Sequence, residues 1–461
     1  MAFVSGRQLQ SDPRTPRVTE RVVVKLNVAA AAPPPGGEEA VSTMWRDLEQ
    51  QFPGVRIGPY FSGGGSEAVA GGPAPAAAGA ELGNRYVSVD VPPEHPAERV
   101  ATELRQRPSV ETAYREGGPV PPPVSPDDEP RSGNQGYLDA APEGVDARFA
   151  WGENLDGSGV GFVDLERGWT LEHEDLAEAG ITIISGENTD FHGHGTAVLG
   201  EVAMVDNSLG GIGIAPAVTT RVVSQWRPGQ EYKTAEAILS AANAMNPGDV
   251  LLLEAQTTYS TTGPAFVPVE VEELVFDAIR TAVDRGIIVI EAGANGGVDL
   301  DQFQDVNGRS VLNRSSADFR DSGAILVGAA RSATPHGRLD FSNFGTRVDC
   351  YAWGRGIDTC GDGGVGEDPS AYTEDFGGTS GASPIVTGCA LLLQSMRVAA
   401  GHPRYTPAEM RELLSDPGMN TPSANPGVDL IGVMPDLRAI IQREQAAPPP
   451  GMLQPAEVTE Q

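Results

Sequence analysis

Phe376-Gly-Gly-Thr-Ser-Gly-Ala-Ser-Pro-Ile-Val-Thr-Gly-Cys-Ala390 is the stretch around which the remaining chain is arranged. Its glycine pair turns the backbone tightly without a Cβ penalty. Thr379-Ser380 follow, and the apolar run 385–393 reads as a buried helix entered through a loop. A serine so placed stands where unsatisfied N–H groups and the positive end of a helix dipole converge, a setting suited to holding an oxyanion. Ser and Thr are equally ordinary helix N-caps, so partners elsewhere must decide between the two readings.

Outward from this stretch, short apolar runs at 160–163, 181–185, 219–224, 250–253, 287–290 and 325–327 read as strands. Helical patterns fall between them at 194–204, 234–245, 270–285 and 383–399, with 407–414 and 435–445 closing the series. This alternation predicts an α/β domain whose parallel sheet is covered by helices on both faces. Such sheets place chemistry at the carboxyl ends of their strands. Asp164 follows the first run, His194 opens a helix between two glycines, and Asn295 sits in the loop Glu291-Ala-Gly-Ala-Asn295-Gly-Gly. Singly, each has a plain reading as a turn, cap or structural residue. Jointly, Asp, His, Asn and Ser in that order point to nucleophilic catalysis.

The resemblance to the subtilisin-like serine peptidases (subtilases) is carried by several segments. Gly378-Thr-Ser-Gly-Ala-Ser-Pro384 matches their serine motif, and His194-Gly-Thr-Ala-Val-Leu-Gly200 resembles their histidine motif. Val160-Gly-Phe-Val-Asp164 is similar to the strand before the family's aspartate, and His173-Glu-Asp-Leu176 to the segment after it. The segments Asp206–Pro216 and Phe341–Asp349 also look like subtilase sequence. The resemblance spans 135–445 and implies a three-layer, doubly wound, mostly parallel sheet. It implies Ser380 as nucleophile, His194 as general base and Asp164 as the residue orienting the imidazole. Asn295 and the Ser380 N–H become oxyanion donors, each such donor being worth about 3 kcal/mol. His192 falls outside the motif and is expected to be a supporting or surface residue.

Three departures from the family pattern stand out. Asp164 is followed by Leu165-Glu-Arg-Gly168, where the family has a small hydroxyl residue and then glycine. Asn295 follows Gly293-Ala294 in place of Ala-Gly. Glu254-Ala255-Gln256 replaces the family's Ser-x-Gly, which pairs with the substrate backbone and walls the P1 pocket; an acid there could favour a basic P1 residue. Together with Ala292 and Gly293, these form the expected substrate-binding set. The resemblance also implies a structural calcium ion held by Asp175, Asn207, Leu209 and Gly211, with oxygen ligands on a loop; the plain alternative is a turn at 206–207. No cofactor is expected for the chemistry itself.

Residues 20–27, 38–51, 55–61, 85–91, 96–107 and 110–114 follow the order β-α-β, β-α-β, the split βαβ or ferredoxin-like pattern. Subtilases often carry a propeptide of this kind, so 19–116 is expected to act as an intramolecular inhibitor joined through a Pro-rich linker, 117–134. A permanently attached regulatory domain is the competing reading. Residues 1–18, the Gly/Ala/Pro-rich 62–82 and the tail 446–461 read as lacking fixed structure.

The 461 residues carry 63 acidic against 32 Lys and Arg side chains, a net charge of −31. That balance argues against binding nucleic acid through phosphates and against anionic membranes. No apolar run reaches the length of a bilayer span, and the N-terminus has no secretory h-region, so a cytoplasmic location is expected, with secretion by another route as the alternative. Cys350, Cys360 and Cys389 are expected to be free, a Cys350–Cys360 bridge being the other possibility. The expected function is a serine endopeptidase acting on protein or peptide substrates. A catalytically silent scaffold of the same shape is the alternative, disfavoured because Asp164, His194, Asn295 and Ser380 are all present.

Overall fold

The computed structural model describes residues 20–27, 38–60, 85–116, 124–229, 231–258, 265–363 and 368–446. It divides into two units, 1–121 and 122–461. The segments 1–18 and 62–82 lie outside the described residues, as does the tail 446–461 apart from Ala446, which ends the helix Leu437–Ala446.

In the first unit, strands β1 (Glu20–Leu26), β2 (Arg56–Pro59), β3 (Tyr86–Val91) and β4 (Val110–Arg115) pair antiparallel in the order β2-β3-β1-β4. Helices α1 (Glu38–Gln51) and α2 (Ala97–Arg105) are interleaved as the split βαβ pattern requires. Strand alternation sends Val22, Val24, Leu26, Val89 and Val91 to one face, where they pack with Leu48, Phe52, Val100 and Leu104.

The second unit is built on nine strands: β5 (Gly161–Glu166), β6 (Thr182–Ser185), β7 (Thr219–Ser224), β8 (Val250–Leu253), β9 (Ile288–Ala292), β10 (Ile325–Ala330), β11 (Cys350–Trp353), β12 (Thr421–Pro422) and β13 (Val433–Met434). Their order is β12-β13-β11-β10-β9-β8-β5-β7-β6, parallel except where β12 meets β13. Its longer helices are α3 (His192–Ala203), α4 (Thr234–Ala244), α5 (Glu273–Asp284), α6 (Thr379–Ala399), α7 (Pro407–Ser415) and α8 (Leu437–Ala446), beside the short Ala147–Gly152 and Pro426–Asp429. Period-two alternation divides the strand residues between two cores. Phe162, Val250, Leu252, Ile288 and Ile290 meet α3 and α6, whereas Val163, Leu165, Leu251, Leu253 and Val289 meet α4 and α5. By the same parity Asp164 and Glu166 belong to the face that carries α3 and α6.

Three differences from the sequence reading matter. Strand β5 runs to Glu166, three residues past the expected end, so Asp164 lies inside the strand. Helix α6 starts at Thr379, which places Ser380 in its first turn and not in a preceding loop. Residues 124–134, expected to be linker, belong to the second unit. Arg131 donates twice to the buried Asp358 (2.8 and 2.7 Å), and its backbone N–H donates to the Gly210 carbonyl at 2.6 Å. A bidentate guanidinium–carboxylate pair fixes a segment that composition alone labels flexible. Helix α6 is the one described helix long and apolar enough to cross a bilayer, and 78% of its apolar window is buried inside the fold. All three cysteines are free and buried.

Candidate active site

Five chain segments converge at the carboxyl edge of the sheet. Strand β5 delivers Glu166, the loop after β8 delivers Glu254, the loop after β9 delivers Asn295, and the first turns of α3 and α6 deliver His194 and Ser380. Their approach depends on glycine at two points. A Cβ on Gly195 would lie 2.3 Å from the Gly168 carbonyl oxygen and 2.7 Å from the Trp169 ring, so only a bare Cα lets the turn after β5 press against the start of α3. Gly378, at φ 88°, swings the chain from the ribbon strand Tyr372–Phe376 into α6.

The carboxylate that bonds His194 is not the one expected from the sequence. His194 Nδ1 hydrogen-bonds Glu166 Oε1, a carboxylate that is nearly fully buried. Asp164 shares no hydrogen bond with His194. Its Oδ2 accepts from Trp169 Nε1 at 2.6 Å, and its Oδ1 is buried without a partner. Burial, followed by the Glu166 charge, pushes the Asp164 carboxyl well above the usual carboxylate range. Asp164 and Glu166 share a strand face, and the turn through Arg167-Gly168 brings the later one to the imidazole. A sequence signal for Glu166 existed: Glu166-Arg167-Gly168 keeps the acid-x-Gly spacing that Asp164 lacks.

Burial alone would lower the His194 pKa, but the charges of Glu166, Glu254 and Asp164 outweigh it and raise it to about 9. Phe376 packs edge-on against the ring, with centroids 5.4 Å apart. Glu254 is buried; its backbone N–H donates to the Leu165 carbonyl (3.2 Å), and its Oε1 accepts from Ser383 Oγ. Burial and then the Glu166 charge lift its pKa to about 8, against the pull of His194 and the hydroxyls of Ser383 and Ser380. Ser380 approaches closely enough to favour the charged form but outside hydrogen-bonding geometry, which leaves Glu254 Oε2 without a partner.

Asn295 Oδ1 accepts from the Thr379 N–H (2.9 Å) and hydroxyl (3.3 Å), while its own N–H donates to Gln256 Oε1 at 3.1 Å. With its oxygen engaged, the side-chain amide presents N–H groups beside the first turn of α6. Ala294 holds φ 69°, a left-handed conformation costing an alanine about 1–2 kcal/mol. That is the geometric consequence of reading Gly293-Ala294 in place of Ala-Gly. A cleft of about 180 Å³ is lined by Glu166, His194, Glu254, Ala255, Gln256, Ala292, Thr379 and Ser380. Arg167, Phe191, Gln225 and Tyr232, which the sequence did not single out, line it too. Gly293 does not: its N–H donates to the Val327 carbonyl and its carbonyl accepts from Asn343 Nδ2, both at 2.8 Å.

The subtilase family model matches residues 177–429 of the chain. The chain belongs to the subtilase family. It is similar to subtilisin DY of Bacillus licheniformis, 30% identical over 270 residues that cover 57% of this chain and 83% of that protein. The major intracellular serine protease of Bacillus subtilis is 26% identical over 269 residues, covering 55% and 75% respectively. A protease structure from Pseudoalteromonas arctica shares the fold at a TM-score of 0.51, with 21% identity, covering 69% of this chain and 99% of that one. As a member of its family, this subtilase is a serine endopeptidase.

The residues expected to hold calcium are brought together, but largely with one another. Leu209 N–H donates to Asn207 Oδ1 (2.8 Å), and Gly211 N–H to Asp175 Oδ2 (3.0 Å), which Tyr372 also approaches at 3.0 Å. Asp175 Oδ1 alone is buried and unpartnered in that set. Glu129, which the sequence reading missed, joins them: its Oε1 accepts from the Asn207 and Ser208 N–H groups and its Oε2 is buried without a partner. Asp128, Glu129 and Asp206 bring one oxygen each to within 4.8 Å of one another. Two orphaned carboxylate oxygens beside such a trio suit a hard, oxygen-seeking cation.

Proposed function

We propose that this subtilase cleaves peptide bonds through Glu166, His194 and Ser380, with the Asn295 amide and the Ser380 N–H as oxyanion donors. Ser380 Oγ attacks the scissile carbonyl carbon while the other imidazole nitrogen of His194 takes the hydroxyl proton. The C–N bond breaks as His194 returns that proton to the departing amine, leaving an acyl ester on Ser380. Water then gives a proton to His194 and attacks the ester carbon, and the proton returns to Ser380 as the peptide acid leaves. Glu166 holds Nδ1–H throughout and stabilises the imidazolium. The hydrogen bond between Glu166 and His194 carries this reading.

The decisive experiment compares Glu166→Gln with Asp164→Asn on a chromogenic peptide. By analogy with the loss of an orienting carboxylate elsewhere, Glu166→Gln should lower kcat by about 10⁴. Asp164→Asn, which keeps an acceptor for Trp169, should stay within about tenfold of wild type. The reverse pattern would return the role to Asp164.

The first unit serves on this reading as an intramolecular inhibitor, supported by its split βαβ order and its position before the catalytic unit. Because 124–134 is bonded into the second unit, autocleavage belongs within 117–123. Intact-mass measurement of wild type beside Ser380→Ala tests this: trimming there in wild type alone supports a cleaved propeptide. Two intact chains with active wild type mean a resident domain. A structural calcium ion, where bound, would use Asp128, Glu129, Asp206 and Asp175 in preference to Asn207, Leu209 and Gly211, and would fasten 124–134 to the 206–211 loop.

A further inference from the structure

We propose that Glu166, His194 and Glu254 form a divalent-metal site of the zinc class that shuts the protease off reversibly. The inference rests on the catalytic reading above and adds a regulator to the same site. Each residue offers one ligand atom, and the three atoms lie within 4.8 Å of one another. They come from three elements, the end of β5, the first turn of α3 and the loop after β8, so the set is fixed by the fold and not by one flexible loop. Glu254 is 6% exposed, lines the cleft, and keeps Oε2 without a hydrogen-bond partner. A buried carboxylate oxygen left unpaired costs several kcal/mol unless a proton or a cation joins it.

Among the described residues no arginine or lysine pairs with Glu254, which leaves the His194 imidazole as its one basic neighbour; Arg167, lining the same cleft, is directed at Asp190 (3.6 Å) and stacks on Phe191 (4.3 Å). A divalent ion with two carboxylates and a neutral imidazole is charge-balanced. One nitrogen and two carboxylate oxygens suit borderline ions such as Zn²⁺, whereas calcium prefers oxygen throughout. Ligand atoms in a tetrahedral zinc site stand roughly 3.4 Å apart, given bonds of about 2.1 Å. Rotation of the two glutamate side chains supplies the difference and draws Glu166 away from Nδ1. The bound ion thus removes the base and its orienting acid together. By the resemblance read from the sequence, Glu254-Ala255-Gln256 takes the place of the family's Ser-x-Gly, which makes the third ligand a departure from the family pattern.

The test uses full-length Ser380→Ala, which keeps all three ligands and cannot cleave itself, with calcium present to fill the acidic cluster at Asp128, Glu129 and Asp206. Zn²⁺ titration should show one site, and Co²⁺ should give the visible absorption of a low-coordinate nitrogen–oxygen site. Adding Glu254→Gln should weaken Zn²⁺ at least about tenfold and change the cobalt spectrum, with Glu254→Asp as a second variant should Gln impair folding. On wild type, Zn²⁺ should inhibit competitively and a chelator should restore activity. Equal zinc affinity with and without Glu254, or no bound ion, overturns the site. Inactive metal-free wild type would instead overturn the catalytic reading, while the cobalt spectrum still decides the metal site.

Discussion

Glu166 reaches His194 Nδ1 from the last residue of its strand, and the turn that allows this packs the Gly168 carbonyl onto Gly195. Acid and imidazole are therefore placed by a backbone contact between a strand end and a helix start.

Gly195→Ala should damage catalysis without touching a reacting group. Its Cβ would meet the Gly168 oxygen at 2.3 Å and the Trp169 ring at 2.7 Å, both parts of packed backbone or core. Overpacking of this kind costs about 1–3 kcal/mol. A lower melting temperature with a fall in kcat of at least tenfold is expected. Unchanged values for both would show that the turn and the helix can separate freely.

The pH profile should be alkaline. His194 accepts the Ser380 proton only when neutral, and its pKa is raised to about 9. In buffer containing a chelator, kcat/KM should climb about tenfold per pH unit towards pH 9 and then level. Glu254→Gln removes one attracting carboxylate, so the midpoint should move down. Linkage has the opposite sense for stability: the imidazolium stabilises the fold fully below the unfolded value of about 6.5, and this contribution is lost as pH rises through about 9. A rising limb centred near 6.5 in wild type would contradict the electrostatic description.

Arg347 is fully buried between Glu270 (2.6 and 2.8 Å) and Asp349 (2.7 Å). Arg347→Ala would leave the buried Glu270 without a counter-charge, whereas Asp349 keeps Arg314 (2.7 Å) and Arg411 (2.8 Å); the expected cost is about 3–5 kcal/mol. Denaturant unfolding on a Ser380→Ala background, which avoids self-digestion, measures it. A loss under about 1 kcal/mol would mean that water reaches the site.

Calcium removal should loosen the second unit. A chelator is expected to lower the melting temperature of Ser380→Ala by several degrees, since a ligand bound only to the native state stabilises by mass action. Glu129→Gln should abolish that dependence. Asn207→Ala should retain most of it, because the Asn207 side chain already bonds the Leu209 N–H and the Glu174 carbonyl. Loss of the calcium effect in Asn207→Ala alone would restore the ligand set expected from sequence.

Much of this molecule is determined by local rules. The apolar runs separated by helical patterns dictate a parallel sheet, because a strand buried on both faces must be apolar throughout. The serine stretch and the glycine-flanked histidine dictate where Ser380 and His194 stand, because each opens a helix at the carboxyl edge of that sheet. The order of elements likewise determines the split βαβ unit. Between Asp164 and Glu166 the sequence offers only the acid-x-Gly spacing of Glu166-Arg167-Gly168; the tertiary structure decided which carboxylate bonds His194. Both lie on one strand face, so parity cannot separate them, and the choice is made by the angle at which the Arg167-Gly168 turn meets α3. It also decided the place of Glu254, which faces His194 and Ser380, and the attachment of 124–134 through Arg131 to Asp358, a partner 227 residues away. Charges buried together act on one another over distances that sequence separation does not encode.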